Sequence, residues 1–300
     1  MVVTLIFGVL CILAAVAFLI LLANTIILAV KYIRKREKKP TIRRMKKSIF
    51  LLSSAVVICV GIVFVSQRFA STPQILDANG NKIPNSIAEL RQVSLNGRKE
   101  CISLRGQDKE SPVLLFLAGG PGGTQMAAVR HELAALEQHF VVVNWDQPGS
   151  GKSFGAIHSG DITVQAYIDD GYALTKYLCE SFGQEKIYLV GESWGSALGV
   201  FMADRAPELY HAVIGTGQMV AFLDTEEKNY EMALAIAREH HDEETTSKLV
   251  KQGPPPYYGN GVAMNVMAYN SYLGNEMAAN PRIQNRGYNT FRDMFSSEYG

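Results

Sequence analysis

Charge is missing where a soluble chain of this length would carry it. Residues 2–30 hold no charged side chain, and only Thr4, Asn24 and Thr25 interrupt their apolar character. Residues 48–66 form a second run of 19 positions without a charge. A bilayer crossing takes about 20 apolar residues, so both runs are long enough to span. The first is a poor secretory leader, because Met1-Val2-Val3 supplies no basic start and the run is too long. The second is a poor core helix for lack of any charge. Acid is also scarce: Glu37 stands alone against ten Lys/Arg between Lys31 and Lys47, a net of +9 in a chain whose total is +1. Cysteine is sparse as well. Cys11 and Cys59 fall in the apolar runs, Cys101 in a predicted strand and Cys179 in a predicted helix. No pair has metal-ligand spacing and none demands a disulfide, so all four read as packing residues. Neither a metal-binding cluster, a dinucleotide fingerprint, a nucleic-acid motif nor an internal repeat is visible.

A basic segment in a soluble protein would suggest nucleic acid. Between two spans it follows the positive-inside rule instead, which places it in the cytoplasm, where its charge suits contact with anionic lipid headgroups. Both termini then face outward. The expected organisation is a transmembrane helix over 1–30, a basic cytoplasmic loop over 31–47, a second transmembrane helix over 48–67 and a linker over 68–86. The N-terminal part of an extracytoplasmic α/β core over 87–220 and an incomplete helical cap over 221–300 are expected to follow. The expected location is the cell membrane, with two spans.

The core region reads as strands alternating with helices. Asn96-Gly97 between Glu89–Leu95 and Lys99–Leu104 predicts a hairpin. Val113–Leu117 and Phe140–Trp145 are buried strands, with a helix predicted between them over Gln125–Gln138. Val164–Phe182 is a helix with Thr163 as its N-cap. An opening hairpin followed by alternating strands and helices implies an α/β sheet, largely parallel. Asp224–Glu243 is a further helix, and Gly253-Pro254-Pro255-Pro256 then breaks the chain.

Within this frame Gly191-Glu192-Ser193-Trp194-Gly195 joins the strand Lys186–Val190 to a helix running to Ala206. Strand, G-x-S-x-G, helix is the setting of a nucleophile elbow, which points to Ser193 as a catalytic nucleophile. An acyl-transfer site also needs backbone N–H groups for its oxyanion. Trp194 would supply one, and Gly119 or Gly120 in the glycine-rich turn Ala118–Gly123 the other. Asn144–Ser153 ends in Gly-Lys-Ser, as phosphate loops do, but position 146, where such a loop has its first glycine, is Asp. Nucleotide binding is therefore rejected.

Three stretches, Gly-Gly-Pro-Gly-Gly, Trp-Asp-Gln-Pro-Gly-Ser-Gly-Lys-Ser and Gly-Glu-Ser-Trp-Gly-Ser, stand in that order. Over roughly residues 88–220 the chain resembles the proline iminopeptidase branch of the α/β-hydrolase superfamily. The resemblance implies a serine peptidase of aminopeptidase type, without cofactor or metal, that removes an N-terminal residue such as proline from small peptides. It also implies that acids of a helical cap bind the substrate amine, with Glu226 and Glu227 as the candidates. The chain departs from the family at Ala118, where histidine is usual, and at Pro148, where arginine is usual. A third departure concerns the triad. His211, His240 and His241 are the histidines after Ser193, and none is expected to serve as base, so the family's acid and histidine are expected beyond these 300 residues. An ester or amide substrate, or a non-catalytic binding module, are the rival readings.

Overall fold

The computed structural model describes residues 2–259, 261–282 and 296–299. Two long helices come first: α1 (Val2–Ile33) and α2 (Lys39–Arg68). They pack against each other, and the five residues between them require an antiparallel pair. Ile6–Ile33 and Lys39–Arg68 are long and apolar enough to cross a membrane, and bury only 6% and 11% of their most apolar stretches. A soluble core helix would hide that surface, whereas Phe50 and Phe64 remain 73% and 79% exposed. The polar groups within α1 are satisfied locally: Asn24 Nδ2 donates to Ile20 O at 2.8 Å and Thr25 Oγ1 to Leu21 O at 2.8 Å. The basic stretch 31–47 is not the loop expected. Only 34–38 connects the helices, and Lys39–Lys47 forms the opening turns of α2. Pro40 near the helix start needs no partner for its missing N–H, and the Lys and Arg that follow are good helix formers.

The sheet contains β1 (Ile87–Leu95), β2 (Arg98–Gly106), β3 (Val113–Leu117), β4 (Val141–Asp146), β5 (Ile187–Glu192) and β6 (Tyr210–Thr216). Their order is β1-β2-β4-β3-β5-β6. The β1–β2 and β2–β4 pairs are antiparallel and the others parallel. Asn96 and Gly97 both adopt positive φ, 48° and 82°, as a two-residue hairpin turn requires. α3 (Met126–Glu132) follows β3, α4 (Val164–Phe182) follows β4, and α5 (Trp194–Arg205) follows β5. Thr163 caps α4 by accepting from Ala166 N–H at 3.1 Å.

Period-two alternation sorts the central strands between two layers. Leu115, Leu117, Val143 and Leu189 pack with Leu174 and Leu178 of α4 and Leu198 and Met202 of α5. Leu114, Phe116, Val142 and Val190 pack with Val129 of α3 on the opposite face. The helix expected over Gln125–Gln138 is shorter. After Leu133 the chain tightens into a 3-10 turn, Ala134–Gln138, which brings buried Glu137 within 2.7 Å of Arg105. β6 ends the sheet among the described residues, with Ile214 half exposed.

Three helices follow: α6 (Phe222–Glu239), α7 (Glu243–Gln252) and α8 (Val262–Ala279). They share a small core of Tyr230, Ala233, Leu249 and Tyr269. The single helix expected over Asp224–Glu243 divides because Asp242 caps a new one, accepting from Thr245 N–H at 3.0 Å. Residues 296–299 pack back on the core, where buried Glu298 pairs with Arg130 at 2.5 Å and accepts from Thr72 Oγ1 at 2.9 Å.

A buried acidic pair under the hairpin makes stability depend on pH. Arg98 grips Asp170 through Nε at 2.8 Å and Nη2 at 2.6 Å. Glu100 beside them accepts from Trp145 Nε1 at 2.6 Å, while its Oε1 meets no donor among the described residues. Burial, then the neighbouring Asp170, pushes the Glu100 carboxyl up to about 8, against the partial relief of Trp145 and Arg98. The folded protein thus holds a proton that the unfolded chain releases from about pH 4.5 upward. Stability from this group is complete below that pH and is lost as pH rises toward 8. The urea midpoint of the detergent-solubilised chain, followed by tryptophan fluorescence, is expected to fall between pH 5 and 8. Glu100→Gln, neutral and similar in shape, should remove most of that slope; an unchanged slope would assign it to other groups.

Candidate active site

The expected elbow is present. Ser193 sits between β5 and α5 with φ 51° and ψ −118°, a conformation that costs a non-glycine residue about 1–3 kcal/mol. Its N–H donates to Thr216 O at 2.9 Å. Ser196 fastens the turn by donating its hydroxyl to Ser193 O at 2.6 Å and accepting from Met219 N–H at 3.1 Å. The Ser193 residue is exposed, and its hydroxyl makes no hydrogen bond among the described residues. The motif's glycines are dictated by space. A Cβ on Gly191 would lie 2.2 Å from Gly195 O, and one on Gly195 would lie 2.0 Å from Leu117 O.

The turn after β3 passes directly over the serine, since a Cβ on Gly119 would lie 3.4 Å from Ser193 Cβ. Its two candidate donors differ. Gly119 N–H donates to Gln125 Oε1 at 3.1 Å, and Gln125 Nε2 in turn donates to the Glu192 carboxylate. Gly120 and Trp194 N–H make no hydrogen bond among the described residues. Trp194 opens α5, where helix geometry leaves N–H groups unpaired and favours negative charge.

The Trp-Asp-Gln loop braces this arrangement. Gln147 is fully buried; its Nε2 donates to Ala118 O at 3.0 Å and its Oε1 accepts from Trp194 Nε1 at 3.0 Å. One amide thus joins the glycine turn to the elbow. Tyr167 donates to Pro148 O at 3.1 Å and sets its ring edge-on to Trp194 at 5.6 Å. Asp146, fully buried, accepts from Thr124 Oγ1 and, at 2.7 Å, from Lys152 N–H. Burial raises its carboxyl above the ordinary range, against these donors. The loop closes on this carboxylate, and a Cβ on Gly151 would lie 2.2 Å from Asp146 Oδ2. A carboxyl group in that position opposes phosphate binding. Sequence reasoning identified the loop but not the Gln147 clamp or the Gln125–Glu192 link, because a buried glutamine carries no periodic or spacing signal.

The remaining candidates lie apart. His211 stacks on Tyr188 with ring centres 4.9 Å apart. Tyr188 is five residues before Ser193 along β5, about 16 Å at strand spacing. His240 and His241 follow the C-terminal end of α6, and His240 Nδ1 lies 3.6 Å from Glu276 Oε2. The 18 residues of α6 span about 27 Å, with Phe222 at the end nearest Ser193. Glu226 is buried and accepts from Tyr269 OH and, at 3.3 Å, from Asn270 Nδ2, which ties α6 to α8. Glu227 is exposed. Beside the elbow runs an apolar groove of about 770 Å³ whose walls include Gly120, Trp194, Val164, Phe201, Met219 and Phe222. Among the described residues, no group of three or more His, Cys, Asp or Glu could hold a metal ion.

The chain is similar in sequence to several known proteins. A probable aminopeptidase of Bacillus subtilis strain 168, YbaC, is 39% identical over 147 residues, which cover 49% of this chain and 46% of that protein. A proline iminopeptidase of Lactobacillus helveticus strain DPC 4571 is 31% identical over 36% of each chain. A putative carbamate hydrolase of Yersinia enterocolitica, RutD, is 30% identical over 37% of this chain and 38% of its own length. The chain thus spans less than half the length of these curated relatives. A family model described as alpha/beta hydrolase fold matches residues 112–296, more than half of the chain. That match takes in the glycine turn, the braced loop and the strained serine together, and the chain belongs to the α/β-hydrolase family.

Proposed function

We propose that this chain carries the nucleophile and oxyanion site of a membrane-anchored serine hydrolase of aminopeptidase type. The observation that carries the reading is the strained, exposed Ser193 beneath a turn that leaves Gly120 N–H available. Ser193 Oγ attacks the scissile carbonyl, and the N–H groups of Trp194 and Gly120 hold the oxyanion. Gly119, with its N–H committed to Gln125, sets the shape of the turn. The general base is a histidine other than His211, His240 or His241, oriented by a carboxylate. Of the two cap acids, exposed Glu227 is the better placed to meet a substrate amine, since Glu226 holds α8. α1 and α2 cross the membrane, their basic connection faces the cytoplasm, and the hydrolase domain faces outward.

The apolar groove supports a second reading, an ester or amide with an apolar acyl group. A reporter panel separates the two. Proline and other aminoacyl p-nitroanilides, with free and acetylated amines, are compared with p-nitrophenyl acyl esters. The aminopeptidase reading expects the free amine to be preferred at least tenfold, about 1.4 kcal/mol of discrimination. Equal rates on acetylated substrates, or a preference for acyl esters, would replace it with the second. An active preparation is defined by labelling of Ser193 with a fluorophosphonate; failure of both labelling and turnover favours a binding module.

A further inference from the structure

A second cavity, remote from the elbow in chemistry, lies where α2 meets the hairpin. Its volume is about 900 Å³, within the range of small-molecule sites. Val63 and Phe64 of α2 and Leu90 of β1 supply apolar wall, and Gln67, Arg68 and Lys152 supply polar groups. The apolar wall continues the surface of α2, and Arg68 is the last residue of that helix.

The charges on the wall are of one sign. Arg68 has no ion pair among the described residues. The charge of Lys152 reaches buried Asp146, but its ammonium makes no ion pair among the described residues and instead donates to the neutral Gln67 Oε1 at 2.8 Å.

We propose that this cavity binds a single phospholipid with a net negative headgroup, drawn from the bilayer. One acyl chain lies along Val63, Phe64 and Leu90, and the headgroup phosphate meets Arg68 and Lys152. The apolar wall selects a lipid over a soluble anion, and the two cations without carboxylate partners select an anionic headgroup over a zwitterionic one. The inference rests on the reading of α1 and α2 as membrane spans.

The full chain is reconstituted in phosphatidylcholine vesicles containing a trace of phosphatidylglycerol or phosphatidylcholine with a diazirine on one acyl chain. Labelled positions are mapped by mass spectrometry after illumination. The phosphatidylglycerol probe is expected to label the β1–β2 hairpin as well as the spans. Each base near a membrane surface contributes about fivefold, so R68Q/K152Q should weaken hairpin labelling roughly thirtyfold. The charge-conserving pair R68K/K152R should retain it, and tryptophan fluorescence checks that both variants fold. Equal hairpin labelling by the two probes, or labelling insensitive to R68Q/K152Q, overturns the proposal. Labelling confined to α1 and α2 overturns it while upholding the membrane reading. No labelling of either helix overturns the membrane reading itself.

Discussion

Ser193→Ala is expected to lower hydrolysis about ten-thousandfold or more in an active preparation, with folding unchanged. The size follows from the position. The hydroxyl is the group that the elbow exposes, and no hydrogen bond within the described residues engages it. Its removal takes away the proposed attacking atom and leaves the turn, Gln147 and the N–H groups of Gly120 and Trp194 in place. Stability should move differently from activity across a short series. Alanine retains the strain at φ 51° and ψ −118°, so its thermal midpoint should match the parent. Glycine adopts positive φ without steric cost, so Ser193→Gly should be equally inactive yet more stable by up to about 1 kcal/mol. Turnover with the reporters, fluorophosphonate labelling and thermal unfolding check the three variants. Retained turnover in Ser193→Ala would refute the nucleophile assignment. A Ser193→Gly variant less stable than the alanine variant would refute the strain argument.

The parts legible from sequence are those whose cause is local. Asn96-Gly97 specifies a turn through positive φ, Thr163 specifies a helix start through its side-chain oxygen, and Gly191 and Gly195 specify a tight elbow through lack of a Cβ. Each signal is complete within a few residues. The parts that escaped depend on contacts between distant segments. Glu137 leaves the expected helix to reach Arg105, 32 positions away in sequence. Gln147 joins Ala118 to Trp194. That Gly119 N–H is already engaged depends on Gln125, whose side-chain direction no sequence pattern encodes. Glu226 looks like any acid on an amphipathic helix until Tyr269 and Asn270 of α8 meet it. The start of α2 escaped for a different reason: a run of like charges suggested a loop, although Lys and Arg tolerate helix well and bilayer crossing does not end a helix.

The largest effect on folding is expected from Gly195→Ala. Its new methyl would lie 2.0 Å from Leu117 O, 2.6 Å from Leu117 C and 2.9 Å from Ala118 O. All three are backbone atoms at the end of β3, which pairs with β4 on one side and β5 on the other. No rotamer change relieves the contact; either α5 moves off the sheet or β3 gives up pairing. A cost of roughly 3 kcal/mol or more follows, a large share of the ordinary stability of a domain. Gly191→Ala should behave alike, because its methyl would meet Gly195 O at 2.2 Å. Gly155→Ala is the control: its methyl meets nothing within 4 Å, so its midpoint should stay within about 0.5 kcal/mol of the parent. Urea titration of the three variants, read by tryptophan fluorescence, checks the order. Gly195→Ala with the parent's midpoint would mean that the elbow does not press on β3. If Gly195→Ala unfolds while Ser193→Ala folds without turnover, the two positions of one pentapeptide separate cleanly: the glycine is required by the backbone and the serine by the chemistry.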